Sequence, residues 1–329
     1  MTYIWNLLMI LFAGWLNTLM VVPAVMIVNY VHPLTEPMAW ASSLLTAVGA
    51  ADTYDNRILC LAVAVMAAGG ALYIIAGYIP PLRGLNRVLM GAVPPECFQD
   101  HNKTLNAALT HLSEKSGIPA EEIRKKYYFT IIEEGSPNAW AYGTRDISIT
   151  TGLIGRASPR IVAATIAHEI GHHLIGDTYF ATFYNGMWRS TWLCIQIIRA
   201  ATFLLGLLRF LPVIGIVCAL LTWVPAILSW IFYILQRIPQ ALLQNFFLRQ
   251  SEFKADANIV KMGLGEEGIE MLQFFLKVCG DTSLFFLPFV DHPRTKSRIK
   301  HIQKLMENQN GYVPAPRAVL SVSDIPPAK

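Results

Sequence analysis

Three long runs without a formal charge restrict this chain to folds that suit a membrane. Residues 1–35 contain no Asp, Glu, Lys or Arg, and residues 58–82 and 210–236 are uncharged as well. Each run is long enough to cross the hydrocarbon core of a bilayer, which needs about 20 apolar residues. Hydrophobic residues make up 54% of the chain and charged residues only 15%. This balance is typical of a membrane protein rather than a soluble one.

The first two runs predict an N-terminal membrane anchor of two transmembrane helices, residues 1–82. A cleaved signal peptide is the alternative for the first run, but that run lacks a basic segment and is too long for one. Arg83, Arg87 and Lys103 follow the second run. Because basic residues favour the cytoplasmic side, the next segment is placed in the cytoplasm. We therefore predict a multi-pass protein of the cell (inner) membrane with its soluble domain facing the cytoplasm.

The third run lies within residues 191–237, which we interpret as an apolar transmembrane hairpin. Its first half carries Arg199, and an arginine at the centre of a span costs about 2.5–3.5 kcal/mol on insertion scales. Either both halves cross the membrane or neither does, if the soluble parts on the two sides are to meet. We predict about four transmembrane helices in all. The hairpin then separates two parts of a soluble domain, residues 83–190 and 238–307, and a loose tail follows at residues 308–329.

The motif that carries chemistry lies in residues 158–176, which read SPRIVAATIAHEIGHHLIG. Ser158 is a good N-cap and the proline after it suits the first helical position, so a helix is predicted. His168 and His172 are four residues apart and project from one face of that helix. Two imidazoles placed in this way can share one Zn²⁺, and Glu169 beside them can act on a water molecule as a general base.

A third ligand has to come from another part of the chain. The metzincin motif is excluded, because Thr178 stands where that class has its third histidine. Asp177 is close in sequence but poorly aimed, at the end of the same helix. A predicted helix at residues 251–263 carries Glu252 and Asp256 four residues apart. One carboxylate could bind the metal while the other accepts a histidine N–H. The alternative is a solvent-exposed acidic pair.

Cysteine usage and net charge exclude several other classes. The five cysteines are scattered and never form a C-x-x-C pair, so neither a disulfide framework nor a thiolate zinc site is indicated. This pattern fits a reducing compartment. The net charge of +4 is mild and gives no indication of a nucleic-acid partner.

A small sheet is predicted before the motif helix. Residues 127–132, 139–143 and 146–151 read as short strands, after a surface helix at residues 100–116 that ends at Gly117. The sheet could simply pack on the motif helix. Its edge strand could also align an extended peptide beside the metal by strand addition. Both interpretations stay open at this point.

Several motifs taken together resemble the M48 membrane metallopeptidases, the group of HtpX-like and CAAX-prenyl-protease-like proteins. The motifs are H-E-x-x-H at 168–172, Glu252-x-x-x-Asp256, N-A-W-A-Y-G at 138–143, I-T-T-G-L at 149–153, and His292-Pro293 followed by Arg298. The order of two spans, soluble part, motif helix, apolar hairpin and glutamate helix looks most like HtpX. The further spans of the prenyl-protease branch are not evident, so that branch fits less well.

The resemblance implies a zinc endopeptidase with one Zn²⁺ per chain and a zincin-like α+β catalytic domain. It implies that Glu252 is the third ligand and that Asp256 supports the ligands from behind. By the same resemblance, His292 would donate a hydrogen bond to the oxyanion of the reaction. Arg298 would pair with the carboxylates near the metal. His173 is rotated about 100° from the ligand face, so we interpret it as a packing residue.

The predicted fold is thus a mainly α membrane protein that carries an α+β catalytic domain. Its partners would be the lipid bilayer and polypeptide substrates, by resemblance membrane proteins or misfolded segments. Asn138, Ala139 and Trp140, at the start of the predicted edge strand, are assigned to substrate binding. One alternative is a non-catalytic scaffold with a structural zinc, but such a site needs no general base like Glu169. A transporter with a chance motif is the other, but no repeat symmetry is evident.

Overall fold

A computed structural model of the protein describes residues 34–207, 249–280 and 294–310, and helical positions 14, 18, 21, 22, 24–26, 28 and 29. Its helices are α1 (Thr35–Ala47), α2 (Tyr54–Tyr78), α3 (Pro80–Leu89), α4 (Gln99–Ser116), α5 (Ala120–Lys126), α6 (Thr151–Ile154), α7 (Pro159–Ile175), α8 (Asp177–Leu207), α9 (249–261), α10 (Gly265–Cys279) and α11 (Thr295–Asn310). Its strands are β1 (Ala92–Val93), β2 (Tyr128–Ile132), β3 (Ala139–Tyr142) and β4 (Asp146–Thr150). The predicted architecture, mainly helical with one small sheet, is confirmed.

The chain divides into two compact units. The first unit comprises Met1–Ile75 and Thr182–Gln244, and the second comprises Ala76–Ala181 and Asn245–Lys329. Helix α8 runs without a break through residue 191, where the predicted hairpin begins. Helix α11 continues to Asn310, into the predicted tail.

Glycines bring two helices of the first unit into close contact. A Cβ added at Gly186 of α8 would lie 2.5 Å from the carbonyl oxygen of Gly69 in α2. One added at Gly70 would lie 2.6 Å from the ring of Phe183. Small residues at such crossings are typical of packed membrane helices, because they let the backbones approach.

Within the described residues, α2 alone combines the length and the apolar composition that a membrane crossing requires. Large apolar side chains remain exposed along it, among them Leu59, Val63, Leu72 and Ile75. Most of the first predicted span and residues 208–237 lie outside the described residues. The number of about four spans therefore stays a prediction.

The second unit is built on a four-stranded sheet in the order β1-β2-β4-β3. Strand β2 pairs in parallel with β4, whereas β1 and β3 are antiparallel to their neighbours. Every residue of β4 is buried, and β3 at the edge is half-buried. The structure confirms the three strands predicted at 127–132, 139–143 and 146–151, with ends that agree to within one residue.

Helix α7 is the centre of the second unit. Helices α4 and α10 and strand β3 all pack against it, and its residues 162–171 are buried. The side-chain oxygen of Ser158 accepts a hydrogen bond from the backbone N–H of Ile161, and Gly176 ends the helix with φ of 80°. The predicted cap and helix are thus confirmed. This rigid, buried helix is the element that holds the H-E-x-x-H residues.

Candidate metal centre

Two histidine nitrogens face each other inside the second unit. His168 and His172 lie one turn apart on α7, and their Nε2 atoms are 3.2 Å from each other. The two rings are nearly perpendicular, with centroids 4.8 Å apart. Because α7 is capped and packed on several sides, both rings are held in place before any ligand binds.

Helix α9 contributes a carboxylate to the same point. Glu252 Oε2 lies 3.4 Å from His168 Nε2, and Glu252 Oε1 lies 3.5 Å from His172 Nε2. Each of these three side chains offers one donor atom, and the three donor atoms lie within 4.8 Å of one another. Two imidazoles and one carboxylate form a donor set that suits Zn²⁺ and leaves a fourth position open. The residues present therefore fit a zinc ion.

The opposite nitrogen of each histidine contacts a different carboxylate. His168 Nδ1 lies 3.1 Å from Asp256 Oδ1, and His172 Nδ1 lies 3.2 Å from Asp177 Oδ2. Each carboxylate favours a hydrogen on Nδ1, which leaves the lone pair of Nε2 free for a metal. Asp177, considered from the sequence as a candidate ligand, thus lies behind His172 rather than among the three donors.

Arg298 of α11 joins the carboxylates on α9. Its Nε and Nη2 lie 2.8 and 2.6 Å from the two oxygens of Asp256, and its Nη1 lies 2.8 Å from Glu252 Oε2. The guanidinium is 8% exposed and Asp256 is fully buried. A bidentate pair of this kind fixes the orientation of the carboxylate that contacts His168.

The charges around the two histidines favour a cation. Burial alone would lower the pKa of His172, but Asp177 and Glu252 outweigh burial and raise that pKa to about 10. The pKa of His168 is raised as well, because Glu252 and Asp256 outweigh burial. A proton or a divalent cation can supply the positive charge that these carboxylates stabilise, so metal binding and proton binding compete.

The carboxylate of Glu169 lies between α7 and the edge strand. Its Oε2 accepts a hydrogen bond of 2.7 Å from the backbone N–H of Ala141, and the side chain is 6% exposed. In β3 the pairs Asn138–Thr150 and Trp140–Ser148 are the hydrogen-bonded ones, so the backbone groups of Ala139 and Ala141 point away from β4. The free side of the edge strand therefore runs past Glu169.

The residues assigned to substrate binding lie at the start of that strand. The backbone N–H of Asn138 donates to Thr150 Oγ1, and its side-chain Oδ1 accepts from the backbone N–H of Ala139. Asn138 is exposed, and Ala139 and Trp140 are half-buried. The Asn138 side chain thus shapes the entry into β3.

Two further histidines were named from the sequence. His292 lies outside the described residues. His173 Nε2 lies 3.1 Å from the backbone carbonyl of Asp146, and its Nδ1 lies 3.2 Å from Thr178 Oγ1. These contacts indicate a neutral ring with hydrogen on Nε2, and burial lowers its pKa to about 4.

Sequence reasoning missed two contacts that align α9 with α7. The side-chain amide of Asn258 donates to the carbonyl of Ala167 at 2.7 Å. A Cβ added at Gly171, inside the H-E-x-x-H motif, would lie 2.9 Å from Cα of Ala255. The glycine in the motif was a possible signal, because a helix-interior glycine often marks a close backbone approach.

Comparisons with known proteins point to one family. The family model described as Peptidase family M48 matches residues 99–306. The chain is 29% identical over 164 residues to "Protease HtpX homolog" of Chlorobium phaeobacteroides (strain BS1), covering 46% of this chain and 48% of that protein. It is 24% identical over 161 residues to "Protease HtpX" of Legionella pneumophila subsp. pneumophila, covering 48% of this chain and 52% of that protein. The aligned part thus spans about half the length of these relatives.

A solved structure is similar over a larger share of the chain. The chain aligns with the crystal structure of S. mikatae Ste24p with a TM-score of 0.39 and 14% sequence identity. The alignment covers 84% of this chain and 63% of that one.

Proposed function

The chain belongs to peptidase family M48, and from this premise we propose that it is a membrane-embedded, zinc-dependent endopeptidase. The observation that carries the proposal is that His168 and His172 of α7 meet Glu252 of α9. Glu169 lies on α7, next to His168 in the sequence. A site that only held a metal would need the three donors alone. An additional carboxylate beside the three donors, that of Glu169, suits hydrolysis of a peptide bond.

His168, His172 and Glu252 would hold one Zn²⁺ per chain. When bound, the ion would make a water molecule more acidic and polarise the carbonyl under attack. Asp177 and Asp256 would hold the two imidazoles in the required tautomer, and Arg298 would balance the charge of the carboxylates on α9.

Glu169 would move the proton. Its carboxylate would accept a proton from the attacking water and later deliver it to the leaving amine. The hydrogen bond from the Ala141 N–H holds one oxygen of this carboxylate, which leaves the other for the water. We keep His292 as the proposed donor to the oxyanion, on the family resemblance alone.

The edge strand β3 would align the substrate. The backbone carbonyls of Ala139 and Ala141 point away from β4, so an extended peptide could donate hydrogen bonds to them as an added strand. The N–H of Ala141 stays bonded to Glu169, and that of Ala139 stays bonded to the side chain of Asn138. The scissile carbonyl of the peptide would then lie near Glu169. Asn138 would shape the start of this edge, and Trp140 would border the bound peptide.

The proposed setting is a cell (inner) membrane with the catalytic domain on the cytoplasmic side. It is supported by the length and exposed apolar side chains of α2 and by the basic residues that follow it. The substrates would be polypeptides that reach the membrane surface, including membrane proteins and their misfolded segments.

Zinc content and cleavage measured on matched variants test the roles of the two glutamates. Glu169→Gln should keep one zinc and lose turnover by about 10²–10⁴-fold, because it removes the proton acceptor. Glu252→Gln should lose zinc itself, because it removes a donor. Glu270→Gln, on the exposed surface of α10, is the matched control. The assignment is wrong if Glu169→Gln loses the metal, or if Glu252→Gln keeps full zinc and full activity.

The same experiment addresses the alternative of a non-catalytic scaffold. A wild-type protein that binds zinc stoichiometrically but cleaves neither casein nor a membrane substrate would favour the scaffold. In that case zinc removal would lower the melting temperature of the protein, and there would be no hydrolysis for it to affect.

A further inference from the structure

Helix α3 has its apolar face exposed and its charged face towards the protein, which is the reverse of the usual arrangement. At 100° per residue, Leu82 and Leu85 lie on one face of the helix, and Arg83 and Arg87 lie on the opposite face. A surface helix of a soluble domain turns its apolar stripe towards the protein core. Here Arg87 is turned towards the protein, and Arg83 is half-buried one turn before it.

The inner face is attached to the sheet through Arg87. Its Nε donates to Asp146 Oδ1 at 2.8 Å, its Nη2 contacts the same oxygen, and its guanidinium carbon lies 3.5 Å from the centre of the Tyr128 ring. The side chains of Arg87 and Asp146 are only 13% and 1% exposed. The orientation of α3 is therefore determined by a buried ion pair and a cation–π contact.

The outer face is apolar and uncovered. Ile79, Leu82, Leu85 and Val88 follow one another at three-residue spacing and are 40%, 44%, 54% and 73% exposed. Such a contiguous exposed stripe marks a surface that contacts another apolar phase.

Positive charge is in excess beside this helix. Asp146 is the carboxylate that accompanies the three guanidinium groups of Arg83, Arg87 and Arg145. The Nε atoms of Arg83 and Arg145 are buried and have no hydrogen-bond partner among the described residues. Burial, followed by the nearby Arg145, lowers the pKa of Arg83. This group can accept an additional anion.

We propose that α3 is an interfacial helix that lies on the bilayer, with its outer face among the acyl chains and Arg83 and Arg145 on anionic phospholipid headgroups. This inference rests on the proposed membrane setting. Helix α2 ends at Tyr78 and α3 begins at Pro80, so a span that ends at Tyr78 delivers α3 to the membrane surface. An apolar outer face combined with excess positive charge is what an anionic membrane surface binds.

The consequence concerns the peptidase site. Asp146 is the first residue of β4, and β4 pairs with β3, the proposed substrate strand. The Arg87–Asp146 contact would therefore keep the sheet at a constant distance from the bilayer. Substrate segments that leave the membrane would meet β3 at a fixed distance from the bilayer surface.

Spin-label accessibility in proteoliposomes tests the proposal on the full chain. Single cysteines at Leu85, Val88, Leu72 and Lys103 are introduced after the native cysteines are replaced, and only variants that keep the wild-type melting profile are used. Vesicles contain equal parts of phosphatidylcholine and phosphatidylglycerol. Labels at 85 and 88 should be accessible to oxygen and protected from a water-soluble nickel complex. The label at 103, on the exposed surface of α4, should show the reverse.

The outcomes separate this inference from the proposed membrane setting. A nickel-accessible label at 72, inside α2 and six residues before its end, would reject the membrane setting itself. A protected label at 72 with a nickel-accessible label at 85 would overturn only the interfacial helix. A label at 85 shielded from both reagents would indicate a protein partner and also overturn it.

The headgroup contact has its own control. Replacing phosphatidylglycerol by phosphatidylcholine should lower the oxygen-to-nickel ratio at 85 several-fold in the parent protein. Arg83→Gln should reduce this difference, whereas Arg124→Gln, on exposed α5, should keep it in full. An unchanged lipid dependence in Arg83→Gln would overturn the contact with anionic headgroups.

Discussion

Each histidine of the metal centre has two nitrogens with different partners. Nε2 of His168 and Nε2 of His172 converge with Glu252, while the Nδ1 atoms contact Asp256 and Asp177. The chemistry of a single imidazole therefore depends on a carboxylate that never needs to touch the metal.

We expect Asp177→Asn and Asp256→Asn each to weaken zinc binding by about 10–100-fold, because the imidazole loses the acceptor that orients it. Asp256→Asn should have the larger effect, since it also breaks the bidentate ion pair with Arg298. Zinc affinity measured by competition with a chromogenic chelator gives the ranking. Equal affinity of wild type and both variants would show that the Nδ1 contacts have no influence on the metal.

His173 gives the protein a sensitivity to acid that is separate from the metal. Its pKa is lowered from 6.5 to about 4 in the folded protein, chiefly by burial. The unfolded chain therefore binds this proton first, and stability falls as the pH drops from 6.5 towards 4. The free energy changes by at most about 1.4 kcal/mol per pH unit for one proton.

The test is the melting temperature of zinc-free protein across this pH range. His172 does not offset this loss of stability. Its pKa is raised, so its contribution to stability is fully present below pH 6.5 and stays constant as the pH falls further. His173→Gln can keep both hydrogen bonds but does not titrate. It should lose less stability between pH 6.5 and 4 than the wild type. Parallel curves for the two proteins would refute this account.

At the scale of elements, the metal centre depends on how closely α9 approaches α7. Gly171 faces Ala255, and Asn258 bonds to the carbonyl of Ala167 one turn earlier. The two helices carry different ligands, so a small shift between them moves Glu252 away from both histidines. The glycine of the motif is thus a packing requirement of the metal centre.

Gly171→Ala should destabilise the protein by about 1–3 kcal/mol, because the new methyl group would overlap with backbone atoms of α9. Zinc affinity should fall in parallel. Gly84→Ala in α3 is the control, since a Cβ there has no atom within 4 Å. Thermal melts and zinc titrations of both variants check this, and a Gly171→Ala protein with unchanged zinc affinity would contradict it.

At the scale of the whole molecule, residues far apart in sequence form one site. Helices α7 and α9 are separated by α8 and by residues 208–248, which include a long apolar run. In the proposed membrane setting, both helices of the candidate metal centre lie on the same side of the bilayer, so the chain between them would cross it an even number of times or not at all.

Reporter fusions test this parity. A reporter fused after Lys103 and another fused after Arg249 should both be active in the cytoplasm, because basic residues follow the second and last apolar runs. A third fusion after Asp52, in the loop between the first two runs, should report the opposite side. Opposite locations for the first two reporters would exclude Glu252 as a ligand.

The sequence by itself determined the features that depend on near neighbours along the chain. The cap at Ser158, the spacing of His168 and His172, the three main strands and the glycine that ends α4 were all predictable. Hydrogen bonds and side-chain periodicity within one element involve residues only a few positions apart. The pair Glu252 and Asp256 could be named, and their spacing already favoured a ligand. The residues still left a solvent-exposed pair open, and the resemblance strengthened the ligand interpretation.

Only the tertiary structure decided how chemically similar groups are used. Asp177, Glu252 and Asp256 are all carboxylates with suitable chemistry. Glu252 lies at the two Nε2 atoms, whereas Asp177 and Asp256 each contact an Nδ1 atom, and this difference separates the proposed donor from the supporting residues. The reversed faces of α3 follow from one buried partner, Asp146, which lies far along the chain. Such choices depend on which helices and strands pack together, and a pattern within one element contains no information about its distant partner.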